Sequence, residues 1–202
     1  MRRLFIIAAA VALLAGFGGC AGRARGGAPG PGTPQSATPT ATASGTPAPA
    51  LSDRAAIYTA MLRRYLTTSD HSFGADHRFP IAYVLDQTDS AAVNPVPSGQ
   101  PAQRAPISAA DQTAIVAALA DVGMVRFISD RKTVIEEKDN CQQVRGGGIL
   151  IILAPPVAAG DRVEVGIHGF VACLGATWFT YVVVRDGTGW KVTGTTGPMA
   201  IA

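Results

Sequence analysis

Three long strands in succession dominate the end of the sequence. From Arg162 to Thr196, apolar residues recur at every second position, which is the period that places side chains on one face of a β-strand. Asp186 and Gly187 separate the last two runs and suit a tight turn. The residues predicted to share faces within these strands are Val163, Val165, Ile167, Val171, Cys173, Phe179, Tyr181, Val183, Trp190 and Val192. The stretch predicts a meander, and it constrains the fold more than any other part of the chain.

Two amphipathic helices are predicted before this meander. The first covers 51–66, with Ser52 as its N-cap and an apolar face made by Ile57, Tyr58, Met61, Leu62, Tyr65 and Leu66. The second covers 108–122, where Ser108 begins it and Gly123 ends it. Its inward residues are predicted to be Ile115, Val116, Leu119 and Val122.

Shorter apolar runs between these elements predict further strands at 79–85, 124–128, 133–137 and 149–153. Residues 86–106 are expected to form a long polar loop, and residues 139–148 a turn region. Because strands follow one another directly, an antiparallel sheet is favoured over a parallel one. The sequence therefore predicts an α+β fold in which two helices pack on a curved antiparallel sheet.

The segment WFTYVVVRDGTGWKVTGTTG, residues 178–197, carries a family resemblance. A strand, a tight turn and a Gly-Trp-Lys-Val strand recur in the cystatin-like, NTF2-like superfamily, which this segment resembles. The resemblance implies a cone-shaped fold in which the sheet face opposite Val165 and Ile167 could line a cavity. It implies no particular activity.

The N-terminal residues have the parts of an export signal. Arg2 and Arg3 precede an apolar core at 4–17 that is short for a membrane span. Phe17-Gly18-Gly19-Cys20 resembles the lipobox of bacterial lipoproteins, and the chain resembles those of the actinobacterial type. This resemblance implies that residues 1–19 are removed and that Cys20 is lipidated and held at the outer face of the cell membrane. An ordinary secreted protein, cleaved near Gly19, is the alternative.

The next segment, residues 20–51, is rich in Pro, Thr and Gly and has no aromatic residue. Such a segment buries too little apolar surface to offset its ordering entropy. We expect it to be a disordered tether between the membrane and one α+β domain at 52–202.

The basic charge of the chain belongs to this N-terminal part. The formal net charge is +3, yet the four arginines before residue 52 are accompanied by no acid, and the remaining 13 bases face 14 acids. The domain is therefore close to neutral, and we expect no nucleic-acid partner.

The three cysteines divide between two uses. If Cys20 carries lipid, Cys141 and Cys173 form an even pair in a compartment that permits disulfides. We expect these two to be bonded, with two free buried thiols as the alternative.

Three histidines are the remaining candidates for chemistry. His71 and His77 each follow an aspartate, Asp70 and Asp76, but their spacing fits neither a helical nor a strand face, so solvated loop residues are favoured over a metal site. His168 lies on the strand face opposite Val165 and Ile167, where it could line a cavity or act as an acid or base.

No nucleophile elbow, HExxH or phosphate-binding GxxxxGK occurs in the sequence, and no cofactor is implied. The leading expectation is a non-catalytic domain that binds a small ligand or a partner protein at the cell envelope. One alternative is an enzyme that uses His168 with a nearby acid such as Asp130 or Glu164. Another is an accessory or structural component of an envelope complex.

Overall fold

The computed structural model of the chain describes residues 51–74, 76–94 and 101–202. The predicted signal, the lipidation at Cys20 and nearly all of the tether lie outside these residues. The described elements are helices α1 (Asp53–Thr67) and α2 (Ala109–Ala118) and strands β1 (Ala82–Leu85), β2 (Gln87–Asp89), β3 (Arg104–Pro106), β4 (Val125–Ile128), β5 (Ile135–Lys138), β6 (Cys141–Val144), β7 (Ile149–Leu153), β8 (Val157–Ala159), β9 (Arg162–Ala172), β10 (Gly175–Asp186) and β11 (Gly189–Ile201).

Both predicted helices are present, although the second is a turn shorter than expected. The Ser52 hydroxyl accepts from the Ala55 amide and caps α1, and all six residues of its predicted apolar face are buried. Ser108 caps α2 in the same way, but the helix ends at Ala118, with Leu119 as its C-cap. Val116, predicted to face inward, is 38% exposed, because only the Ile115 and Leu119 side of this short helix meets the core.

The sheet is mixed, so the antiparallel prediction is wrong for part of it. Its order is β11-β10-β9-β7-β1-β4. The meander β9-β10-β11 is antiparallel as predicted, and β7 pairs antiparallel with β9. In contrast, β1 lies parallel to both β4 and β7. The chain leaves β1 and returns through α2 to β4, and such a crossover between neighbouring strands gives parallel pairing.

The long polar loop and the turn region both contain strands that the sequence did not indicate. β2 and β3 form a separate two-stranded ladder within 86–106, and β5 pairs with β6 across a tight turn. Asp139 and Asn140 hold the positive φ angles of that turn, 55° and 59°, which these two residue types tolerate better than most.

The main core fills the space between α1 and the inner face of the curled sheet. Tyr58 and Tyr65 of α1 pack there with Ile167, Phe179 and Tyr181 of the meander, and each is at most 1% exposed. Tyr65 approaches β9 at Gly169, where a Cβ atom would overlap its hydroxyl. We call this side of the sheet the inner face and the opposite side the outer face.

Two smaller apolar clusters cover parts of the outer face. At one end, Val134 and Val144 from the β5–β6 region pack on Leu150 and Phe170. At the other end, the 3-10 turn Ser90–Val93 places Ala92 against Ile152 and Ala154. Between these two clusters lies a strip of the outer face that includes His168.

The predicted cysteine pair is present, with Cys141 and Cys173 at disulfide distance and their Cα atoms 5.4 Å apart. The antiparallel pairing of β7 with β9 brings the two residues to the same end of the sheet, and Gln143 lies opposite Ala172. Within the described part of the chain, no helix is both long and apolar enough to cross a membrane.

Candidate functional site

His168 lies on the outer face and stacks on Trp178 of the neighbouring strand. The two ring centroids are 4.4 Å apart and the rings are inclined by 18°. The residues occupy opposed positions on β9 and β10, and Ile152 flanks His168 on the other side. The period of two predicted the outward direction of His168 correctly.

Burial sets the protonation of this histidine. Desolvation, followed by the positive charge of Arg131, lowers the pKa of His168 to about 4, against a smaller opposing effect of Asp89. Its Nε2 atom is buried and has no hydrogen-bond partner among the described residues. The imidazole is therefore neutral at pH 7.

The acids proposed as partners of His168 are engaged elsewhere. The Asp130 carboxylate accepts from the Lys132 amide at 2.8 Å. Glu164 pairs with Arg162 at 2.9 Å on its own strand. No hydrogen bond joins His168 to either acid in the part of the chain that the structure describes, so the acid–histidine pair of the enzyme alternative is not hydrogen-bonded.

A small polar pocket of about 210 Å³ lies next to this strip. Its charged lining comprises Asp89, Arg104, Asp130 and Arg131, and Arg104 donates to Asp89 at 3.0 Å. The contact between Asp89 and Arg104 could not be predicted from the sequence, because they lie on β2 and β3 inside the segment predicted to be a loop.

A larger apolar groove of about 410 Å³, which we call the outer groove, lies beside the Ser90–Val93 turn. Gly166 and Thr180 form its floor, Val93 lies at one side and Val157 at another. Gly166 is required because Val93 occupies the space that a Cβ atom would need. Val157 is 61% exposed, so the groove opens directly to solvent.

His71 and His77 belong to an aromatic cluster. The expectation of solvated loop residues is wrong for His71, whereas His77 is exposed. His71 is fully buried. Its ring centroid lies 5.1 Å from that of Phe79 and 6.1 Å from that of His77, and its Nδ1 accepts from the Phe73 amide. Burial, followed by the charge of His77, lowers the pKa of His71. Among the described residues, no group of three or more His, Cys, Asp or Glu side chains is placed to hold a metal ion.

Comparisons with protein-family models, with curated proteins and with solved structures give no match. The resemblance to the cystatin-like, NTF2-like cone and to bacterial lipoproteins accordingly stays a prediction. The structure supports the coarser description, an α+β domain with two helices and a curled mixed sheet.

Proposed function

We propose that this chain is an exported lipoprotein, anchored through Cys20 at the outer face of a cell membrane, whose folded domain binds a partner protein without catalysing a reaction. The anchor rests on the sequence of residues 1–20 alone. The binding role rests on the surface of the domain.

The observation that carries the binding role is the contrast between the two faces of the sheet. Among the described residues, the centre of the inner face is filled by the packed side chains of Tyr58, Tyr65 and Phe179. The outer face instead offers the apolar outer groove, with Val157 exposed at its side. Open apolar surface of this kind suits a protein partner better than an enclosed small molecule.

Catalysis at His168 receives less support than binding. A general acid or base works best when its pKa lies near the working pH, whereas that of His168 is lowered to about 4. A ring without an orienting acid and with an enclosed Nε2 also lacks the geometry of an activated base.

Photo-crosslinking in intact cells tests the partner. A photoreactive amino acid replaces Val157 in the outer groove or, as a matched control, Met124, which is 64% exposed and lies outside the groove. We expect a discrete protein adduct from position 157 and none from position 124. The same adducts at both positions, or none at position 157, would contradict binding of a protein there.

Membrane fractionation tests the anchor separately. Cys20→Ala is expected to move the protein from the membrane to the soluble fraction, because stable anchoring takes two acyl chains and the variant carries none. If the variant stays as membrane-bound as the wild type, Cys20 is not the anchor, and the result for the outer groove stands on its own.

A further inference from the structure

The edge strand β11 is long and open on one side. It runs for 13 residues, and β10 is its sole partner among the strands of the described residues. An open edge presents unpaired backbone N–H and C=O groups to any other extended chain, and proteins usually block such edges with charges, proline or bulges.

The features that hinder pairing with another strand lie mostly at the C-terminal end of β11. Pro198 has no N–H to offer, and Gly197 leaves the extended conformation with a φ of 69°. The register with β10 shifts near this end, between Trp178 and Thr180. It shifts a second time between Val182 and Val183, opposite Gly194 and Val192, so β11 is also irregular around Thr193. The preceding segment, Trp190–Thr196, has Lys191 as its one charged residue. We call this segment the open edge.

A groove of about 590 Å³ runs between the open edge and α1. Trp190 and Val192 border it from the strand, and Thr59 and Ala60 border it from the helix. Trp190 is held in place because its Nε1 donates to Asp53 at 3.2 Å. The Oγ1 atom of Thr59 is buried and has no hydrogen-bond partner in the part of the chain that the structure describes. A groove beside an open edge is the arrangement that receives an added strand, with alternate side chains entering the groove.

The charged residues that line this groove are all cations, although the carboxylate of Asp53 contacts Trp190 at its border. Its lining includes Arg63 and Arg64 from α1 and Lys191 from β11, and no acid. The Lys191 side chain alternates with those of Trp190 and Val192, so it lies on the other side of the strand. Arg63 pairs with Asp121 at 2.6 Å and Arg64 with Asp70 at 2.9 Å. Lys191 makes no ion pair with any described residue, so it is the cation open to a partner's carboxylate.

We propose that the open edge binds an extended segment of a partner protein in which apolar and acidic residues alternate. In a strand added beside β11, one set of side chains faces the Trp190 and Val192 side, where the apolar groove lies. The other set faces the Lys191 side, where carboxylates are favoured opposite the lysine. This site is separate from the outer groove and depends on neither that groove nor the lipid anchor.

A second copy of this chain is a poorer occupant. The open edge contains no acid, so antiparallel pairing of two copies over Trp190–Thr196 would place each Lys191 opposite Thr195 and leave it without a carboxylate. The unpaired Lys191 therefore favours a different, acidic partner.

Peptide binding to the full chain, purified in detergent, tests the proposal. The probes are blocked seven-residue peptides that alternate valine with glutamate, valine with lysine, or valine with glutamate but carry N-methyl groups on alternate amides. We expect the glutamate peptide to change the fluorescence of Trp190. This response should persist in Trp178→Phe, which alters the outer face, and disappear in Trp190→Phe. The lysine and N-methylated peptides are expected to bind at least about tenfold more weakly than the glutamate peptide. The lysine peptide loses the charge pair with Lys191, and the N-methylated peptide loses backbone hydrogen bonds to β11.

Charge reversal provides a variant that leaves the groove intact. Lys191→Glu should lower the affinity for the glutamate peptide about tenfold and raise that for the lysine peptide, whereas Lys132→Glu, on the distant 3-10 turn Arg131–Thr133, should change neither. Equal binding of glutamate and lysine peptides, or undiminished binding of the N-methylated peptide, would overturn the proposal. Sedimentation that shows a dimer excluding the glutamate peptide would overturn it in favour of a second copy.

Discussion

His168 and Trp178 stack across β9 and β10 with their ring centroids 4.4 Å apart. This contact encloses a histidine whose Nε2 has no hydrogen-bond partner among the residues that the structure describes. Burial lowers the pKa of His168 from 6.5 to about 4. A lowered histidine pKa means that the unfolded chain binds the proton more tightly than the folded chain does. The contribution to stability is therefore complete above pH 6.5 and is lost as the pH falls from 6.5 toward 4.

His168→Phe tests this linkage. The variant keeps a ring against Trp178 and removes the titrating group, so its free energy of unfolding should stay close to the wild-type value at pH 7. On acidification to about pH 4.5, the wild type should lose roughly 2–3 kcal/mol more than the variant does. Urea unfolding at the two pH values measures the difference. Parallel losses in the two proteins would show that His168 ionises freely in the folded state.

The direction of His168 could be predicted from the sequence, but its surroundings could not. Period two places it opposite Val165 and Ile167, and the structure agrees. Its electrostatic neighbours, Asp89 and Arg131, come from segments far away in the chain that have no periodic pattern. Only the tertiary fold of residues 86–106 and 129–134 brings them to the outer face.

The parallel pairing of β1 with β4 and β7 could not be predicted from the sequence for a similar reason. The sequence order of helix, strand, helix and strands is compatible with several sheet orders, and the apolar run at β7 predicts burial without naming its neighbours. The structure places β1 between β4 and β7. In contrast, the turns of the meander are too short to join parallel strands, so antiparallel pairing could be predicted there from the sequence. The structure confirms this pairing.

Gly169 is predicted to be irreplaceable because the hydroxyl of Tyr65 occupies the space of its Cβ atom. That hydroxyl also hydrogen-bonds the buried Thr177 Oγ1 at 2.6 Å. Gly169→Ala should therefore displace Tyr65 and lower the free energy of unfolding by roughly 1–3 kcal/mol, as overpacking does. Gly194→Ala, whose Cβ atom would meet nothing within 4 Å, is the matched control. Equal thermal melting of both variants would contradict the close approach.

The carboxylate of Asp70 contacts both the buried Tyr181 and the exposed Arg64, and its removal should lower the free energy of unfolding. It accepts from the Tyr181 hydroxyl at 2.8 Å and from Arg64 at 2.9 Å, and Tyr181 is fully buried. Asp70→Ala leaves the phenol without its acceptor, and we expect a loss of roughly 1–3 kcal/mol.

Asp121→Ala is the control for that substitution, since it also removes the carboxylate of an arginine pair. The side chains of Arg63 and Asp121 are 42% and 68% exposed, and pairs of this kind contribute about 1 kcal/mol or less. Chemical denaturation compares the two variants. If Asp121→Ala loses as much stability as Asp70→Ala, the buried Tyr181 hydroxyl is not the cause.

The bond between Cys141 and Cys173 is predicted to hold the β5–β6 hairpin to the end of β9. The two cysteines are 32 residues apart in sequence, and closing a loop of this size stabilises a domain by roughly 3–4 kcal/mol in the chain-entropy model. A double Cys141→Ser and Cys173→Ser variant should lose about that much, a large share of the stability of an ordinary domain. Adding a reductant should destabilise the wild type by a similar amount and leave the variant unchanged. Mass spectrometry of protein alkylated without reduction gives the decisive control, because two alkylated thiols at these positions in protein taken from the cell envelope would rule the bond out.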